Sequence, residues 1–102
     1  MIKLSVIYQT PADPGAFDAH YLGTHAPMCD KLPGIVRCEV TKFTNGMDGS
    51  PPANYLQTDL VFDTKDALMA ALGSEQGKAL VADMANLQGT ATVMALGTIE
   101  HG

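Results

Sequence analysis

Positive charge is scarce in this chain: six Lys and Arg stand against eleven Asp and Glu, for a net charge of −5. Lys3, Lys31, Arg37, Lys42, Lys65 and Lys78 are scattered singly, whereas phosphate backbones are bound by clustered cations that release counterions. Nucleic acid is therefore not expected as a partner. No apolar run approaches the roughly 18 residues that span a bilayer, and no charged segment followed by an apolar one opens the chain. A cytoplasmic protein without membrane contact is expected. The two cysteines, Cys29 and Cys38, form neither a CxxC pair nor the dense spacing of a disulfide framework; both are read as reduced and buried. Neither GxGxxG nor GxxxxGK(S/T) occurs, so NAD, FAD and ATP sites have no support and no cofactor is expected. Charge of either sign is short too, at 17% against about 25% in an average soluble domain. A chain of 102 residues has room for one domain, taken as 1–102. Its sparse charge implies that part of the surface is covered, most economically by a second copy in a homodimer.

What is present is a clear alternation of patterns. Ile2, Leu4, Val6 and Tyr8 alternate with Lys3, Ser5 and Gln9, the mark of a half-buried strand over Ile2–Gln9. Asp13 before Pro14 is a good N-cap and first-turn pair. From Phe17 the helical period of about 100° per residue places Phe17, Tyr21, Leu22, His25, Met28, Cys29 and Leu32 in one stripe and leaves His20 outside it. Pro27 lacks the N–H for the Gly23 carbonyl and predicts a kink. Pro33-Gly34 ends the helix, and Ile35–Phe43 returns to strand chemistry. Thr44–Ala53 reads as a loop. Tyr55–Phe62 is a third strand, with Leu56, Thr58, Leu60 and Phe62 on one face. Asp63/Thr64 and Ser74 start two helices, the second with Leu80, Val81 and Met84 on its apolar side. Thr92–Glu100 is the last strand. The order β-α-β-β-α-β predicts an α+β, ferredoxin-like fold, a four-stranded antiparallel sheet with helices on one face. The other face carries Lys3, Ser5, Ile7, Gln57 and Asp59, too weakly charged for bare solvent, and is the expected dimer surface.

His25 is the residue best placed for chemistry. Burial disfavours the imidazolium, and a neutral ring facing an apolar pocket is a general base. The alternative is a core histidine whose ring satisfies a backbone carbonyl such as that of Gly23. His20, five residues away on a different face, is expected to be solvated, and no metal site is indicated. Asp18 reads as an exposed carboxylate near a helix start, and Cys29 as packing rather than nucleophile. Asp59, in the middle of a strand, needs a partner, with Lys3 or Gln57 as candidates.

Phe17-x-x-His20-Tyr21-x-x-x-His25-x-Pro27, followed by Leu32-Pro33-Gly34, resembles the signature of the ethyl tert-butyl ether degradation (EthD) family, a branch of the dimeric α+β barrel proteins. Phe62-Asp63, then Ala71-Leu72-x-Ser74-x-x-Gly77 and Asp83, matches its second half. The resemblance implies a face-to-face homodimer and a small apolar pocket between helix and sheet, with His25 the residue carried over as catalytic. Tyr8, Tyr21, Met28 and Phe62 are the candidate ligand-binding side chains. It further implies a cofactor-independent enzyme, oxidoreductase-, monooxygenase-, cyclase- or decarboxylase-like, acting on a small apolar or aromatic oxygenated compound. The competing expectation is a non-catalytic ligand-binding or accessory module of an oxygenase system.

Overall fold

A computed structural model describes residues 1–102. Four strands, β1 (Ile2–Tyr8), β2 (Arg37–Lys42), β3 (Leu56–Phe62) and β4 (Ala91–Thr98), form one sheet in the order β2-β3-β1-β4 with every pair antiparallel. This is the ferredoxin-like α+β arrangement that the alternating elements predict. The register puts Ile2, Leu4, Val6 and Tyr8 opposite Phe62, Leu60, Thr58 and Leu56, so the apolar sets of both central strands share one face. Leu80, Leu68, Ala71 and Cys29, all from helices, pack on that face against Leu60 and Phe62. The other face pairs Lys3 with Val61, Ser5 with Asp59 and Ile7 with Gln57. There Asp59 accepts hydrogen bonds from Ser5 at 2.5 Å and Gln57 at 3.2 Å, with the Lys3 ammonium at 3.6 Å. Both expected partners are present, and Ser5 is an additional one.

The helical layer follows local rules at its starts. α1 (Pro14–His20) is capped by Asp13, whose carboxylate accepts the Ala16 N–H at 3.1 Å. Thr64 and Ser74 cap α3 (Lys65–Gly73) and α4 (Glu75–Asp83) in the same manner. α3 and α4 approach so closely that a Cβ on Gly77 would lie 2.2 Å from the Ala71 carbonyl oxygen; only glycine fits there.

The middle of the first helical segment departs from expectation. Ahead of Pro27, residues Tyr21–His25 form a π-turn that leads into α2 (Ala26–Asp30), and the Ala26 N–H donates to the Tyr21 carbonyl five residues back. The wider turn changes which side chains face inward. Leu22, placed by the α-helical period in the apolar stripe, is 53% exposed, while His25 is turned inward and only 3% exposed.

Two clusters form beneath the helices. One holds Cys29, Leu32, Leu60, Phe62, Leu68, Ala71 and Leu80; the other holds Val6, Tyr8, Phe17, Tyr21, Leu56 and Leu87. Nineteen residues are buried, and the accessible surface is 5953 Å², somewhat above the ~5,500 Å² expected of a compact chain of this mass. Some of the excess is apolar: Val93, Met94 and Leu96 of β4 are all exposed. No helix is long and apolar enough to cross a membrane.

Candidate functional site

The π-turn creates the site. In an α-helix residues five apart point in different directions, but i→i+5 bonding stacks them, so His20 and His25 come to the same side. Both reach Asp83, the last residue of α4. His25 Nδ1 lies 2.8 Å from Asp83 Oδ2, and His20 Nε2 lies 2.9 Å from both carboxylate oxygens. Asn86, in the following 3₁₀ turn, donates its amide to Oδ1 at 3.0 Å. His20 is therefore not the solvated residue that an α-helical reading predicts. The cause is the extra residue in the turn.

Burial works to raise the Asp83 carboxyl, but the hydrogen bonds from Asn86, His25 and His20 outweigh it and hold the group at about 2. Asp83 is thus a carboxylate at neutral pH and can only accept. That fixes the His25 tautomer: in the neutral ring the proton sits on Nδ1, and Nε2 carries the lone pair. Nε2 bonds to no protein group, and no side-chain nitrogen or oxygen is sealed off without a partner. It is accordingly not sealed off, and the His25 ring is one of the groups that line an apolar cleft.

That cleft lies between β1, β3 and α4, with an interior of about 40 Å³. Leu4, Val6, Leu60 and Leu80 supply hydrocarbon walls, and Val81 and Met94 stand at its mouth, 55% and 59% exposed. Val81 sits on the expected side of α4, but it borders the opening rather than being covered. Apart from His25, the polar groups are the hydroxyls of Tyr8, Tyr21 and Thr58 and the Cys29 thiol. Tyr21 and Thr58 hydrogen-bond to each other. Burial pushes Tyr8 up to about 12 and Tyr21 further up, so both phenols stay neutral. The rings hold one another in place: Tyr21 stacks on Phe17 at 5.5 Å and tilts against His25 at 5.0 Å, and Tyr8 meets Phe17 and Tyr21 edge-on.

Of the residues singled out by sequence, His25, Tyr8 and Tyr21 come together in this cleft. Met28 and Phe62 do not line it: Phe62 is fully buried in the cluster with Leu68 and Ala71, and Met28 packs alongside. Phe62 pairs with Ile2 and Tyr8 with Leu56, so Phe62 and Tyr8 sit at opposite ends of the sheet. Asp18 is not a free first-turn carboxylate. Hydrogen bonds from Lys42 at 2.6 Å and Tyr55 at 2.8 Å fasten α1 to the sheet, and the Lys42 contact foremost lowers its pKa. Cys29 is buried packing as expected; the Cys38 thiol beside it and its burial push it away from the thiolate. Cys38 is only partly buried. Asp83 as a partner of His25, and Thr58 as a partner of Tyr21, were not anticipated. One signal for Asp83 was available: a carboxylate at a helix C-terminus opposes the helix dipole and needs donors from elsewhere. No group of three or more His, Cys, Asp or Glu is disposed to hold a metal ion.

Known proteins resemble this one along nearly its whole length. An uncharacterised 11.0 kDa protein encoded between thcB and thcC in Rhodococcus erythropolis is 36% identical over 86 residues, covering 84% of this chain and 82% of that one. The crystal structure of an EthD family protein from Bacillus halodurans superimposes with a TM-score of 0.89 at 32% identity, covering 97% of this chain and 98% of that one. SnoaB, a cofactor-independent oxygenase from Streptomyces nogalater, shares the fold with a TM-score of 0.73 at 18% identity, over 99% and 94% of the two chains. The sequence profile of the EthD domain matches residues 9–90, a span that contains the π-turn, both histidines and Asp83. The chain belongs to the EthD family.

Proposed function

We propose that this protein is a cofactor-independent, oxygenase-like enzyme acting on a small apolar or aromatic oxygenated compound, with His25 as the general base. The observation that carries the reading is the state of the His25 ring. Its Nδ1 is held by a carboxylate that cannot give up a proton to it at neutral pH, and its Nε2 is unpaired on a ring that lines an apolar cleft. A positioned base in a dry site accelerates proton transfer by about 10²–10⁴-fold, and Asp83 supplies the orientation that such a base needs. The fold is one that a cofactor-independent oxygenase also uses, which makes the chemistry compatible with the scaffold without assigning it. Tyr8 and Tyr21 are the ligand-contacting residues in this proposal, and the protein works as a homodimer through the Lys3/Ser5/Ile7 face of its sheet.

The narrow cleft favours a second reading, a non-catalytic module that holds a small ligand for another enzyme. One experiment separates the two: a turnover and oxygen-uptake screen over small oxygenated aromatics, with wild type and His25→Gln side by side. The enzyme reading predicts a substrate whose conversion is lost in a variant that keeps its circular dichroism spectrum. Equal turnover by both proteins sinks the role of His25. Binding without turnover by either supports the accessory module.

A further inference from the structure

The lining of the cleft restricts the ligand more narrowly than "apolar or aromatic". It offers one group that only accepts, His25 Nε2, together with the Cys29 thiol and three neutral hydroxyls that both donate and accept, those of Tyr8, Tyr21 and Thr58, two of which bond to each other. It contains no cation. The nearest fixed charge is the Asp83 carboxylate, on the far side of the imidazole.

We infer that the site takes an uncharged compound whose single acidic O–H, phenolic or enolic, donates to His25 Nε2, and that it rejects carboxylates and phosphates. This rests on His25 being the cleft's acceptor, as in the proposed function, but it concerns binding and does not require turnover. A bound carboxylate would face the Nε2 lone pair with Asp83 behind it, and a few hydroxyls with no cation among them would not replace its lost hydration. A bound phenol satisfies Nε2. When the base acts, the O–H proton passes to Nε2 and its bonding pair stays on the ligand oxygen. The products are an imidazolium held by Asp83 and a phenolate or enolate beside it; no other bond changes. The hydroxyl cluster can then donate to the new oxyanion.

Size is the remaining condition. A cavity of about 150 Å³ accepts benzene, and the present interior of about 40 Å³ does not. A ring enters by displacing the side chains at the mouth, Val81 and Met94, which are more than half exposed, and the methionine is a readily repacked side chain.

The test uses wild-type protein at pH 8 and three probes of similar size: phenol, anisole and benzoate, titrated by NMR with the His25 ring nitrogens observed. Phenol should bind and shift the Nε2 resonance. Anisole, which keeps the ring and oxygen but lacks the proton, should bind about tenfold more weakly, the cost of leaving a buried acceptor unmatched. Benzoate should not bind. Benzoate binding as tightly as phenol, equal affinity for phenol and anisole, or saturation by phenol without a response at Nε2 would each overturn the inference. Because these readouts are affinities, they can fail while His25-dependent turnover stands, and the reverse.

Discussion

The two clusters beneath the helices are built for different ends. Around Phe62 the sheet is closed by Leu60, Leu68, Ala71, Leu80 and Leu32, with the Cys29 thiol as the one polarisable group. Around Tyr21 the same sheet is covered by aromatic rings carrying hydroxyls, a π-turn replaces regular helix, and an imidazole and a carboxylate are drawn in from separate elements. The first cluster obeys local propensity nearly everywhere. The second breaks it at His25, at Tyr21–Thr58 and at Asp83. Departures of that kind concentrate where a structure positions chemistry, and here they converge on a single cleft.

The contrast can be broken by substitution. Phe62→Ala should cost most, about 3–5 kcal/mol of stability by urea unfolding, since it empties a sealed hydrocarbon site. A loss below that range would mean that the Phe62 half is looser than described. Gly77→Ala should follow, at about 1–3 kcal/mol, because a methyl group cannot share space with the Ala71 carbonyl and α3 must move off α4. In the other half, Asp83→Asn should destabilise by only about 1–2 kcal/mol, the worth of a few hydrogen bonds to a charged group, while removing any His25-dependent activity. Tyr21→Phe should be smaller still, about 1 kcal/mol, because the ring stays and only the bond to Thr58 is lost.

The pH dependence follows the same division. Asp83 is held at about 2 in the folded chain, below its value of about 3.9 when unfolded. Its stabilisation is therefore complete above about pH 4 and is lost as pH falls towards 2. Asp83→Asn should flatten the stability profile in that window, and Phe62→Leu should not. Matching profiles for wild type and Asp83→Asn would show that the carboxylate is not held as described.

Most of the frame was readable without coordinates. The alternation at Ile2–Tyr8, the Asp13-Pro14 cap and the Ser74 cap each depend on neighbours within a few residues, and each is found as expected. The site was readable only in part. His25, Tyr8 and Tyr21 stand on faces that periodicity assigns inward, but the link from His25 to Asp83 spans 58 residues, which no local pattern encodes. The π-turn eluded the same reasoning, because one added residue in a turn moves Leu22 out and His20 towards His25 without changing composition. Met28 and Phe62 face inward as predicted; which of the two clusters an inward residue joins depends on its position along the strand or helix axis, not on its face.

Asp83 holds His25 by Nδ1 and leaves Nε2 free for a ligand. Two-bond nitrogen–proton NMR spectra of the His25 ring in wild-type protein at pH 8 test it most directly. The hydrogen bond to Asp83 predicts that the neutral ring carries its proton on Nδ1 and has an unprotonated Nε2. A ring protonated on Nε2 would contradict it and leave the cleft without its base.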